Sequence, residues 1–157
     1  MKTGGRGETS RSVPVRPQVR VRNLQRKIRL DSAALNRFGQ RAGVMAAELA
    51  PRRSRATDYP DEIFVMLISD ERIAALHRRF MNVAGPTDVI TFQHGEIFIS
   101  AATAQRQARE FGTSTMREIQ LYIAHGLLHL RGFDDRNALQ RAEMRAAEAK
   151  LLRRLNV

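Results

Sequence analysis

The chain has 157 residues, a formal net charge of +11 and no cysteine. That length suits one domain around one core, and the lack of thiols excludes disulfides and thiolate metal sites, leaving His and carboxylate for any transition metal. No apolar run approaches the roughly 20 residues that span a bilayer, and the first residues lack a secretory apolar stretch, so a cytoplasmic protein with no membrane association is expected.

Residues 1–18 are rich in Gly, Ser, Pro and Arg and offer little to bury, which predicts a disordered basic arm. Lys2, Arg6, Arg11 and Arg16 outweigh Glu8 there. The arm is either an aid in holding a polyanion or a solvated tail, and the charge of the whole chain admits the same two readings. Residues 19–157 are expected to form a single domain. Partial alternation over 19–30 (Val19, Val21, Ile28, Leu30) predicts a first strand. A helix follows, capped by Asp31 or Ser32, carrying Leu35, Phe38, Val44, Met45 and Leu49 and stopped by Pro51. The continuous apolar run 62–69 (EIFVMLIS) has the character of a central strand buried on both faces.

A helix over 70–80 should turn Ile73, Leu76 and Phe80 to the core. Residues 89–92 and 96–99, separated by Gln93, His94 and Gly95, read as an antiparallel pair, which makes the sheet mixed. Ser100 caps a helix that runs to about Phe111 and breaks at Gly112, and Thr115 with Glu118 forms a capping box for the next helix. A last amphipathic helix over 137–155 turns Leu139, Met144, Leu151 and Leu152 inward. The fold class is α+β: about four strands packed on helices, with a buried helix near the centre.

That buried helix holds the chemistry, in His125-Gly-Leu-Leu-His129-Leu-Arg-Gly132-Phe-Asp134-Asp135. Histidines four apart lie one turn up the same helix face, close enough to share an ion at about 2.0–2.1 Å. Gly132 permits a left-handed cap that turns the chain back, so that Asp135 or Asp134 can supply a third ligand and leave a fourth position open. Two imidazoles and a carboxylate favour Zn2+, one per chain, with nickel, cobalt and manganese as alternatives. The competing reading makes both rings satisfied core residues and the acid a helix cap. The apolar surroundings of Ile119, Tyr122, Ile123, Leu127, Leu128 and Leu130 weigh against it, because unpartnered imidazoles are costly there.

The same stretch resembles the signature of the YbeY-type endoribonucleases, bacterial enzymes of rRNA maturation and ribosome quality control. Pro86-Thr87-Asp88-Val89-Ile90-Thr91-Phe92 and Gly95-Glu96-Ile97 are similar to two further motifs of that family. The resemblance implies a compact α+β domain and a zinc-dependent single-strand endoribonuclease acting on RNA, rRNA or the ribosome above all, with no role for DNA. It carries over His125 and His129 as ligands. Where the family has a third His this chain has Asp135, whose negative charge should blunt the Lewis acidity of the ion. Where the family has Tyr-Arg this chain has Phe80-Met81, so the basic residue beside the site is missing, and Arg78 and Arg79 are the nearby candidates to contact phosphate in its place. The loop before Gly95 is also shorter than the family's.

Glu118, two turns before His125, is a candidate catalytic residue that orients a ligating ring, with the capping box as its alternative role. Thr87 and Asp88 read as strand-start residues, and His77 and His94 as surface or packing residues. Gly126 occupies the position at which His-Glu-x-x-His peptidases keep their general base, which argues against a peptidase. The main alternative to an enzyme is a non-catalytic RNA- or ribosome-binding protein with a structural or degenerate metal site.

Overall fold

The computed structural model describes residues 16–55 and 57–157. Most of the expected arm, including Lys2, Arg6 and Arg11, lies outside the described residues. The elements run β1 (Gln18–Asn23), α1 (Ser32–Ala47), β2 (Glu62–Ile68), α2 (Asp70–Met81), β3 (Val89–Phe92), β4 (Glu96–Ser100), α3 (Ala101–Phe111), α4 (Thr115–Leu130) and α5 (Ala138–Arg154). The strands form one mixed sheet in the order β1-β2-β4-β3, parallel except for β3, which pairs antiparallel with β4. This is the expected α+β architecture.

The sheet is covered unequally. Its inner face, made by Val19, Val21, Ile63, Val65, Leu67, Ile97 and Ile99, is buried in one cluster with Leu35 and Phe38 of α1 and with Ile119, Ile123 and Leu127 of α4. Full burial of such a side chain contributes about 1.5–3 kcal/mol, so this layer dominates the fold's stability. The outer face is covered by α2, whose Ile73 meets Ile68 and Ile90, while Met66, Phe92 and Phe98 are only partly buried around them. The central strand β2 is thus sealed on one face and half-covered on the other.

Several local expectations shift. The first strand begins at Gln18 and ends at Asn23, because Gln25 folds its amide back onto Asn23 and Ile28 and ends the extended run. Asp31 is the cap of α1, accepting from the Ala34 N–H at 2.9 Å. The helix ends at Ala47, before Pro51, and it buries the small stripe Gly39, Ala42, Gly43 and Ala46 where Val44 and Met45 were expected to lead. That stripe lets α1 lie close on Val19 and Val21. Asn36 and Gln40 then reach the free edge of β1, bonding Val21 N–H and C=O, Val19 N–H and Pro17 C=O at 2.7–2.9 Å. An edge tied to its own helix is closed to stray strand pairing.

Phe80 and Leu139 are 55% and 59% exposed, contrary to their expected inward positions. Both sit in terminal turns, where the helix has run past the layer it packs on. The cap of α4 is Ser114, which accepts from the Arg117 N–H at 3.1 Å, so Thr115 and Glu118 do not form the capping box. No helix among the described residues is long and apolar enough to cross a membrane.

Candidate metal centre

Helix α4 runs through the core, and its last two turns emerge at the free edge of β3. Gly126 makes the close approach possible: a Cβ there would lie 2.9 Å from two carbons of Ile97 and 3.1 Å from the Thr91 hydroxyl. The helix closes on Gly132 at φ +104°, with Phe133 N–H donating to Leu128 C=O and Gly132 N–H to His129 C=O, each at 3.0 Å. This is the left-handed cap expected from the sequence. It turns Asp134 and Asp135 back alongside the histidines. Arg131 braces the turn from behind by donating to Leu49 C=O at 2.6 Å and Thr57 C=O at 3.1 Å.

Three ligand atoms converge there. His125 Nε2 and His129 Nε2 are 3.0 Å apart, and each is 3.6 Å from Asp135 Oδ2. A triangle with those sides is circumscribed by a circle of radius about 2.0 Å, the Zn–N and Zn–O distance, so one ion can reach all three atoms. The donor set therefore fits a divalent transition metal. Asp134 takes another part: its carboxylate accepts from the Asp135 N–H at 2.9 Å and pairs with Arg136 Nε at 3.1 Å.

The other nitrogen of each ring is fixed. Glu148 of α5 accepts from His125 Nδ1 at 2.5 Å, and the Phe133 carbonyl accepts from His129 Nδ1 at 3.0 Å. Both bonds leave Nε2 as the nitrogen facing the shared point, the arrangement by which outer partners orient metal-bound imidazoles. Burial alone would hold the His125 ring below its usual pKa, but the Glu148 hydrogen bond and charge, helped by Asp135 and Asp88, raise it. Burial and the neighbouring His125 hold His129 down. His125 is thus the ring that takes up a proton first, and a bound cation competes with that proton.

The site opens into a cleft of about 720 Å³. Its walls include Ser54, Arg55 and Thr57 from the loop after α1, Met81, Thr87 to Thr91 along the edge strand, Gln93, and the turn from Gly132 to Arg136. Asp88 caps the start of β3, accepting from the Val89 N–H at 2.8 Å.

Other sequence candidates fall elsewhere. Glu118 is buried and accepts from the Thr113 hydroxyl at 2.5 Å, while Glu148 does the orienting expected of it. Arg78 and Arg79 lie with Glu71, Ala74 and Ala75 along a separate shallow depression, and the cleft is lined by Arg55 and Arg136 instead. His77 Nδ1–H donates to the Gly85 carbonyl at 3.0 Å, and His94 Nε2 pairs with the Glu96 carboxylate at 2.7 Å. Glu148 had a signal in the sequence: it falls in the inward stripe of α5 with Met144, Ala147, Leu151 and Leu152, where an acid is out of place.

Residues 20–156 match the family model described as Endoribonuclease YbeY. The chain is 36% identical over 134 residues to the endoribonuclease YbeY of Heliobacterium modesticaldum, covering 70% of this chain and 81% of that protein. It is 34% identical over 156 residues to the Pelotomaculum thermopropionicum protein of the same name, covering 88% and 97%. The solution structure of TM1509 from Thermotoga maritima matches with a TM-score of 0.55 at 21% identity, over 88% of this chain and 91% of that one, which supports the fold. The chain belongs to the endoribonuclease YbeY family.

Proposed function

We propose that this protein is a zinc-dependent endoribonuclease that cuts single-stranded RNA in the cytoplasm, and that its substrate is ribosomal RNA during maturation and quality control. The observation that carries the reading is the convergence of His125 Nε2, His129 Nε2 and Asp135 Oδ2 at the base of an open cleft. When bound there, zinc would supply Lewis acidity toward a phosphoryl oxygen or an attacking water.

The chain's own residues do the rest. Glu148 and the Phe133 carbonyl hold the two rings in the tautomer that presents Nε2. Phe133, itself nearly buried, walls the inner side of the cleft against water. Arg55 and Arg136 stand at the lip as cations for a phosphate, the part assigned from sequence to Arg78 and Arg79. The nucleophile is either water or the RNA's own 2′-hydroxyl.

A second reading, a non-catalytic RNA- or ribosome-binding protein, is favoured by one observation: Met81 lines the cleft where the resemblance implies a basic residue. Metal analysis with cleavage assays on single-stranded RNA separates the two. One zinc per chain, with cleavage lost in His125→Ala and Asp135→Ala, supports the enzyme. Bound metal with no cleavage by either the parent or Asp135→His favours the binding protein.

A further inference from the structure

Among the described residues that line the cleft, cations are few. Asp88, Asp134 and Asp135 line it against Arg55 and Arg136, and Arg136 is already paired with Asp134. Met81 adds none. Just outside the cleft, past the edge of β3, the surface changes character. Phe80, Met81 and Val83 are 55%, 50% and 45% exposed, whereas the other large exposed apolar residues, Leu24, Phe111 and Leu139, lie on different elements. Single exposed apolar side chains are ordinary, but a cluster at one place marks a contact surface.

This cluster is aromatic and ordered. The Phe80 ring meets Phe92 edge to face at 5.1 Å, and His94 stacks on Phe92 at 5.9 Å with 26° between planes. Phe98 backs Phe92 at 5.9 Å from the half-covered side of the sheet. The Arg79 guanidinium lies over the Phe80 ring, 5.4 Å from its centre, which brings a cation to one face of the exposed aromatic. The cluster is continuous with the cleft, because Met81 follows Phe80 and Gln93 lies between Phe92 and His94, and both line it.

We propose that Phe80, with Phe92 and His94 behind it and Arg79 over one face of its ring, is a stacking subsite for a nucleobase of single-stranded RNA flanking the segment held in the cleft. The inference rests on the reading of the cleft as an RNA site. Unpaired bases stack on exposed aromatic rings with little regard to sequence, and an adjacent guanidinium pairs with the neighbouring phosphate.

The test is fluorescence anisotropy with a labelled single-stranded RNA oligomer, in the full-length His125→Ala protein so that the RNA is not consumed. Phe80→Ala should weaken binding about tenfold, leave the salt dependence unchanged and be rescued by Phe80→Trp. An oligomer of abasic nucleotides should bind the Phe80-containing protein as weakly as ordinary RNA binds Phe80→Ala. Arg79→Ala should instead reduce the log–log salt slope by about 0.7. Phe80→Ala that binds both oligomers like its parent would overturn the subsite, even if the wild-type chain cleaves RNA. Base-dependent binding through Phe80 in a chain that cleaves no RNA would keep the subsite and sink the enzyme. No binding of RNA at all would overturn both.

Discussion

Helix α4 carries polar side chains at both ends, buried at one and half-buried at the other, to opposite effect. At the N-terminal end Glu118 is 5% exposed, accepts from the Thr113 hydroxyl, and sits in the first turn of the helix, which Ser114 caps. Its partner comes from the same short stretch of chain, and Glu118 is not among the residues that line the cleft. At the C-terminal end His125 and His129 spend one nitrogen each on Glu148 and Phe133 and leave the other facing a cleft, where Asp135 joins them. A buried polar group that is locally satisfied is structure; one held by half, with its remaining lone pair aimed at a shared point, is a site. The acid two turns from a histidine and the acid 23 residues away from it are told apart by that criterion alone.

Substitutions can break the contrast. His125→Ala or Asp135→Ala should reduce zinc affinity by more than the roughly 10–100-fold expected of an outer partner, with little loss of stability in the zinc-free protein, as read by competition with a chelating dye. Glu148→Gln should fall within that range while the zinc count at saturation stays at one per chain. If Glu118→Gln weakened zinc as much as Glu148→Gln, the separation of the two ends would be wrong.

Gly126→Ala probes what holds the site end against the sheet. The added methyl collides with Ile97, and a well-packed interface that cannot yield loses about 1–3 kcal/mol in urea unfolding. Glu118→Ala should cost about 1–2 kcal/mol by orphaning the Thr113 hydroxyl, without moving zinc affinity.

The smallest effect lies away from both ends, at Asp70, which accepts from Ser100, Thr103 and Arg106 and ties the start of α2 to the start of α3. Burial opposes its ionisation, but those hydrogen bonds and the Arg106 charge win and hold its pKa below the ordinary 3.8. A depressed carboxyl stabilises the fold above its unfolded pKa and loses that contribution as pH falls through the folded one. The stability gap between parent and Asp70→Asn should therefore be present at neutral pH, below about 1 kcal/mol because the group is partly solvated, and vanish in strong acid.

The sequence was most legible where one local pattern decides the outcome. The run beginning at Glu62 reads as a strand because it is apolar and short, and Gly132 reads as a helix end because few other residues take a left-handed cap. The spacing of His125 and His129 fixes their shared face. Less legible were positions set by long-range packing. Phe80 and Leu139 have inward helical phase but sit beyond the layer that would cover them. Thr115 reads as the cap because Glu118 follows three residues on, and only the direction of the incoming chain gives that part to Ser114. Glu148 orients His125 only because α5 packs on α4, and Arg55 reaches the cleft only because Arg131 and Thr57 fasten its loop to the end of α4.

The most direct measurement is a zinc titration of the parent, Asp134→Ala and Asp135→Ala proteins followed by calorimetry. The parent and Asp134→Ala should each bind one zinc with similar affinity, and Asp135→Ala should bind far more weakly. Full zinc affinity in Asp135→Ala, with binding lost in Asp134→Ala, would contradict the three-atom site at the end of α4.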